Sequence, residues 1–131
     1  MVGLDTDILV QFLFQDDQAK RGKATAVMSA LTVADPGWVG TAVLLDLVWE
    51  LTRNHKVKRA KVFQILTYLL SSQEIVVEQD AVVREALNYY QKTSAGFADC
   101  LIAASARGAG CARTVTFDRI AARDAGMELV E

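Results

Sequence analysis

Histidine and proline occur once each in this 131-residue chain, and cysteine twice. A lone histidine, His55, cannot build a zinc site, and its polar neighbours suggest an exposed side chain. Two cysteines, Cys100 and Cys111, form no disulfide framework and lack metal-type spacing. Both are expected to serve as small buried apolar residues. An excess of positive charge is also missing: 14 Lys and Arg against 16 Asp and Glu leave a formal charge of −2. No global basic field therefore draws in nucleic acid. A nucleic-acid substrate would need local basic residues, a bound cation, or both. The one dense basic stretch, Arg53, His55, Lys56, Lys58, Arg59 and Lys61, reads as a solvated loop and helix start. No segment reaches the roughly 18 apolar residues of a membrane span, and no basic region followed by an apolar run opens the chain. The expected setting is cytoplasmic and reducing. Repeats and low-complexity tracts are absent.

What is present is apolar material in short pieces. Hydrophobic residues make up 52% of the chain, which excludes disorder, and charged residues 23%. A single domain over residues 1–131 is expected, large enough to bury a core without staples. Val2–Leu4, Trp38–Gly40, Ile75–Val77, Arg113–Thr116 and Met127–Val130 read as short strands. Helices are expected over Ile8–Phe14, Ala19–Thr32, Lys58–Leu70 and Ala95–Arg107, with one from an N-cap at Thr41 to about Arg53 and one from Asp80 to about Tyr90. Pro36, within Asp35-Pro-Gly37, marks a turn. Both tryptophans, Trp38 and Trp49, and Phe12, Phe14, Phe63 and Phe97 fit apolar faces and are assigned to the core, as are Tyr89 and Tyr90. Strands alternating with helices predict an α/β fold. A mostly parallel sheet of four or five short strands lies at its centre, covered by helices on both faces as an α/β/α sandwich.

Four aspartates follow apolar stretches. They are Asp5 after Met-Val-Gly-Leu, Asp46 in Thr41-Ala-Val-Leu-Leu-Asp, Asp99 in Gly96-Phe-Ala-Asp, and Asp118 in Thr114-Val-Thr-Phe-Asp. Each stands at a strand exit or in the first turns of the helix that follows. Singly, each has a plain explanation as a helix cap or a first-turn acid. Jointly, they fall at the same end of the predicted elements, where α/β sheets bind ligands. Four carboxylates brought together repel unless a hard divalent cation with oxygen ligands sits among them. That points to metal-assisted chemistry on a phosphate-containing substrate. Asp46, flanked by Leu44, Leu45, Leu47 and Val48, is expected to be partly buried. Glu50, four residues on, is either its substitute or a solvent-facing partner of Arg53. Thr6, Asp7 and Thr116 stand beside the proposed ligands and can orient a ligand or a bound water.

These residues match a family. Gly3-Leu-Asp-Thr-Asp-Ile-Leu-Val10 resembles the opening strand of PIN-domain proteins. Thr41-Ala-Val-Leu-Leu-Asp-Leu-Val-Trp-Glu-Leu51 resembles their second motif, Gly96-Phe-Ala-Asp-Cys-Leu-Ile-Ala103 the third, and Val115-Thr-Phe-Asp-Arg119 the fourth. Order, spacing and length are similar to VapC toxins of bacterial toxin–antitoxin pairs. The resemblance implies a Mg²⁺- or Mn²⁺-dependent endoribonuclease whose metal is held at positions matching Asp5, Asp46, Asp99 and Asp118. It also implies an RNA substrate, a homodimer, and inhibition by a cognate antitoxin whose peptide enters the acidic groove. Two positions depart from the pattern. Asp46 stands where glutamate is usual, shortening the reach by one methylene, and Asp7 where asparagine is common.

Two rival readings follow from the same residues. Asp5-Thr-Asp7 after an apolar strand also resembles the opening of haloacid-dehalogenase-like phosphatases, where the first aspartate is a nucleophile. Thr116 would then supply the second motif's hydroxyl, but no well-placed lysine precedes a closing acid pair. Alternatively, the shorter Asp46 leaves a catalytically impaired module that binds RNA or an antitoxin.

Overall fold

Twelve short elements alternate along the computed structural model, which describes residues 1–131. In chain order they are β1 (Val2–Gly3), α1 (Thr6–Phe14), α2 (Arg21–Ser29), β2 (Gly37–Val39), α3 (Thr41–Arg53), α4 (Arg59–Ser71) and β3 (Ile75–Val77). There follow α5 (Asp80–Lys92), α6 (Phe97–Gly108), β4 (Val115–Thr116), α7 (Arg119–Asp124) and β5 (Glu128–Leu129). The expected α/β class with short parallel strands is the one the chain adopts. Hydrogen bonds join the five strands as a three-stranded and a two-stranded parallel ladder. The chain divides into two compact units, Met1–Glu78 and Gln79–Glu131.

In the first unit, β2 lies between β1 and β3, with Gly3 opposite Trp38 and Trp38 opposite Val76. The ladder runs one residue past the strands: Leu4 N–H donates to Trp38 O and Glu78 N–H to Val39 O, each at 2.9 Å. Gly37 lies in close quarters: a Cβ there would lie 2.7 Å from Leu4 Cδ1 and 2.9 Å from Leu31 Cδ1, so those side chains would have to shift to admit one. Helical periodicity sets the buried faces. Leu44, Leu47 and Leu51 line one side of α3, and Val62, Ile65, Leu66 and Leu69 one side of α4. The α4 face is the one its sequence predicts. The boundaries of α2 differ: the helix runs only from Arg21 to Ser29, and it buries Ala24 and Met28.

The second unit rests on the pairing of α5 with α6. Val83, Ala86, Leu87 and Tyr90 are buried on α5, and Phe97, Cys100, Leu101, Ala103 and Ala104 on α6. Tyr90 meets Phe97 edge-on, with centroids 5.9 Å apart. Arg107 Nε bonds Glu85 Oε1 at 2.6 Å, and its guanidinium lies 5.0 Å from the Tyr89 ring. β4 and β5 pair through Val115 opposite Glu128 and Thr116 opposite Leu129, with α7 between them in sequence.

Several expectations are corrected. Trp49 is 55% exposed, with the Arg53 guanidinium 4.2 Å over its ring. It follows Leu47 by two residues, a turn of about 200° away from the buried face. His55 is half-buried and stacks on Phe14 at 4.4 Å, because the chain after α3 returns to the end of α1. Cys111 is exposed while Cys100 is buried, and no disulfide joins them. No helix is long and apolar enough to cross a membrane.

Candidate active site

The three strands of the first unit run in one direction, so their carboxyl ends form a single edge. Asp5 stands just beyond β1 as the N-cap of α1. Its backbone is extended, and its Oδ1 accepts from Thr6 N at 2.7 Å. Thr6 is buried, at 5% exposure, and Asp7 faces solvent in the first turn. β2 leads through Gly40 into α3, which carries Asp46 five residues after Thr41. At a rise of 1.5 Å per residue that is about 8 Å along the axis.

Asp46 is exposed, not partly buried as its leucine neighbours suggest. The stripe of Leu44, Leu47 and Leu51 explains this, since a residue two past Leu44 turns away from the buried side. Leu45 and Val48 flank it in sequence, not in burial. Glu50 accepts from Asn54 Nδ2 at 2.8 Å, one turn further along α3. Arg53, the partner expected for it, is taken up with Trp49.

A further carboxylate at this edge went unnoticed in the sequence. Glu78 directly follows β3, and its Oε1 accepts from Thr41 N, the first amide of α3, at 2.9 Å. The signal was present: an acid immediately after Ile75-Val-Val77 repeats the pattern of the four aspartates. Thr41, expected as the N-cap, is the first helical residue; Gly40 is the N-cap and has no side chain to offer. Similarly, the N-cap of α5 is Gln79 in the left-handed region (φ 50°), with Asp80 following it.

In the second unit the acids are Asp99 and Asp118. Gly96 is the extended N-cap of α6, which puts Asp99 in the first turn. Phe97 and Cys100 anchor the buried stripe on either side of it, leaving Asp99 half-buried. Burial, and after it the charge of Asp118, push the Asp99 carboxyl above its ordinary value. Asp118 is the exposed N-cap of α7. Its Oδ1 accepts from Ile120 N at 2.8 Å and from Ala121 N at 3.0 Å. Thr116 Oγ1 accepts from Asp118 N at 3.0 Å, so the threonine fixes the backbone that presents the acid. Asp124 closes α7. The two-point bond from Arg123 holds it below the usual carboxylate range, and Ser94, in the loop before α6, adds backbone and side-chain hydrogen bonds.

The four aspartates are thus placed two in each unit, and within neither unit do three or more Asp, Glu, His or Cys side chains gather to hold a metal. The donor chemistry suits a hard divalent cation, since every candidate is a carboxylate oxygen. The upward push on Asp99 comes first from its burial and then from the charge of Asp118, and a cation beside it would oppose both.

Two hollows of the first unit lie elsewhere. One, of about 250 Å³, is lined by residues including Phe12, Met28, Tyr68 and Ile75; another, of about 310 Å³, by Phe12, Leu13, Ile65 and Tyr68. Ile75 opens β3, so this concavity belongs to the amino end of the ladder, away from Asp5 and Glu78. His55 is also remote from Asp5 within the unit, because it stacks on Phe14 at the opposite end of α1.

Comparison with known proteins agrees with these motifs. The family model for the PIN domain matches residues 2–126. A VapC ribonuclease of Aquifex aeolicus is 26% identical over 116 residues, covering 88% of this chain and 86% of that protein. With four acidic motifs in order and a match spanning nearly the whole sequence, the chain belongs to the PIN domain family, of three-layer α/β/α fold.

Proposed function

We propose that this protein is a metal-dependent endoribonuclease, the toxin of a toxin–antitoxin pair, acting as one 131-residue domain in the cytoplasm. The observation that carries the reading is the Asp99–Asp118 pair. A half-buried carboxylate is set beside a second acid, with its affinity for protons raised, on a PIN-family chain similar to a VapC ribonuclease. Asp5, Asp46, Asp99 and Asp118 are the residues proposed to hold Mg²⁺ or Mn²⁺. The bound ion would supply Lewis-acid stabilisation of phosphate charge and a lowered pKa for water.

The chain's own groups divide the remaining work. Asp118 is held by two amides through Oδ1 and by Thr116 behind it, so its position is fixed before substrate arrives. Asp5 is held by the Thr6 amide in the same manner. Thr6 and Asp7 flank it as supporting residues, as Glu50 does for Asp46. No histidine stands near Asp5 within its unit, so the proton lost by water would pass to a carboxylate such as Asp99, unless the ion alone lowers the pKa of water far enough. With a net charge of −2, attraction of RNA falls to local cations and the ion itself. A cognate antitoxin and a second copy of this chain are the proposed protein partners.

The test is direct. Purified protein incubated with RNA should cut in Mg²⁺ or Mn²⁺ and stop in EDTA; undiminished cutting in EDTA would sink the scheme. A second reading rests on Asp46, exposed and one methylene shorter than the usual glutamate. If cleavage appears only in Asp46→Glu, the natural chain is a binding module. Trapping a phosphoaspartate at Asp5 would instead favour the phosphatase reading.

A further inference from the structure

Helix α3 begins without a cap of its own. Gly40, its N-cap, has the extended backbone of a capping residue (φ −79°, ψ 163°) but no side-chain acceptor. Nor is a capping serine or aspartate accommodated there. A Cβ on Gly40 would lie 2.9 Å from Trp38 Cη2 and 3.0 Å from Trp38 Cζ3. Helix starts leave amides that need acceptors, and Ser, Thr, Asp or Asn at the cap ordinarily provides one.

The acceptor comes instead from 37 residues further along the chain, where Glu78 Oε1 bonds Thr41 N at 2.9 Å. Glu78 is itself fixed by the sheet, since its own N–H donates to Val39 O at 2.9 Å. One residue thereby ties the end of β3 to the end of β2 by its backbone and to the start of α3 by its side chain. A carboxylate at this place also meets the positive end of the helix dipole.

We propose that Glu78 is a positioning residue for the catalytic site: by capping α3 from a distant part of the same chain it sets the place of Asp46, five residues past Thr41 on that helix. This inference rests on the metal-dependent nuclease reading above. Its weight comes from Asp46 itself. A side chain one methylene short has little slack, and metal sites lose function over displacements of about 1 Å. Fraying of the first turn of α3 moves the base on which Asp46 stands.

The experiment compares Glu78→Ala and Glu78→Gln in the full chain. Glutamine keeps the Oε1 acceptor and gives up the charge. Three readouts are taken: Mg²⁺ affinity by calorimetry without RNA, Mg²⁺-dependent kcat on single-stranded RNA, and amide hydrogen exchange at Thr41 with the chemical shift of Asp46. The expected result for Glu78→Ala is about tenfold weaker Mg²⁺ binding and a comparable fall in kcat, with KM for RNA little changed. Thr41 loses its exchange protection and the Asp46 shift moves. Glu78→Gln recovers Mg²⁺ affinity and kcat to within about threefold and keeps Thr41 protected.

Glu78→Gln as impaired as Glu78→Ala, with Thr41 still protected, would make the charge itself the active element and overturn the positioning role. So would Glu78→Ala with full Mg²⁺ affinity and an unmoved Asp46 shift. If the unaltered chain neither binds Mg²⁺ nor cuts RNA, the nuclease reading fails by itself. Exchange at Thr41 and the Asp46 shift then decide whether Glu78 positions that residue.

Discussion

In the Met1–Glu78 unit the carboxylates at the sheet edge are bound by backbone amides, Asp5 by Thr6 and Glu78 by Thr41. In the Gln79–Glu131 unit Asp118 is bound the same way by Ile120 and Ala121, but Asp99 is different. It is half-buried beside a like charge and is pushed toward its protonated form. Residues of one type, each following an apolar run, therefore do two kinds of work. Amide-bound acids support the local backbone that carries them. Asp99 carries a charge disfavoured by burial and then by Asp118, which costs stability; the proposed cation would relieve it. Sites that sacrifice stability for function have this character.

The comparison breaks most readily at Asp99. Asp99→Asn should lower Mg²⁺-dependent cleavage by about 100-fold or more, and induced expression of the variant should no longer arrest growth. The same change should raise the melting temperature in EDTA by about 1–3 °C, because it removes a desolvated, repelled charge. A lower melting temperature would show that Asp99 is a structural acid like the others. Asp46→Glu, which restores the usual reach, should tighten Mg²⁺ binding by up to about tenfold, read by calorimetry. Asp118→Ala sharpens the contrast from the other side. Loss of the α7 cap should reduce stability by about 1 kcal/mol in urea unfolding, opposite in sign to Asp99→Asn.

The smallest effect is on pH. An acid whose folded value lies above its unfolded value binds more protons when folded. Asp99 thus favours folding at low pH, and this contribution is lost as pH rises from its ordinary value of 3.8 through the raised folded one. In EDTA, the unaltered protein should lose stability relative to Asp99→Asn across that window. Mg²⁺ at neutral pH should restore it. Asp124, held low by Arg123 and Ser94, acts in the opposite sense: its contribution is present above its ordinary value and is lost as pH falls through the lowered one. Comparing the Asp99→Asn difference curve with that of Asp124→Asn separates the two.

Much of this was legible in the residues. The alternation of strand and helix, the buried face of α4, the capping places of Asp5 and Asp118 and the first-turn place of Asp99 follow from periodicity and capping chemistry. The failures share one cause. Asp46, Trp49 and His55 were judged by their neighbours in sequence, whereas burial on a helix depends on angle about its axis, and His55 found its partner through a chain reversal. The role of Glu78 is not legible in the sequence, because its partner, the Thr41 amide, lies 37 residues away and meets it only when β3 pairs with β2.

By itself, the sequence determined the class of fold and the motifs of its family, because helical and strand periods, turn residues and short acidic signatures are local properties of the chain. Tertiary structure alone decided the division of strands into two ladders, the use of Glu78 as the cap of α3, and the burial of Asp99 beside Asp118. Those depend on which distant segments meet, and the energy of a carboxylate is set by what stands within a few ångströms of it in space.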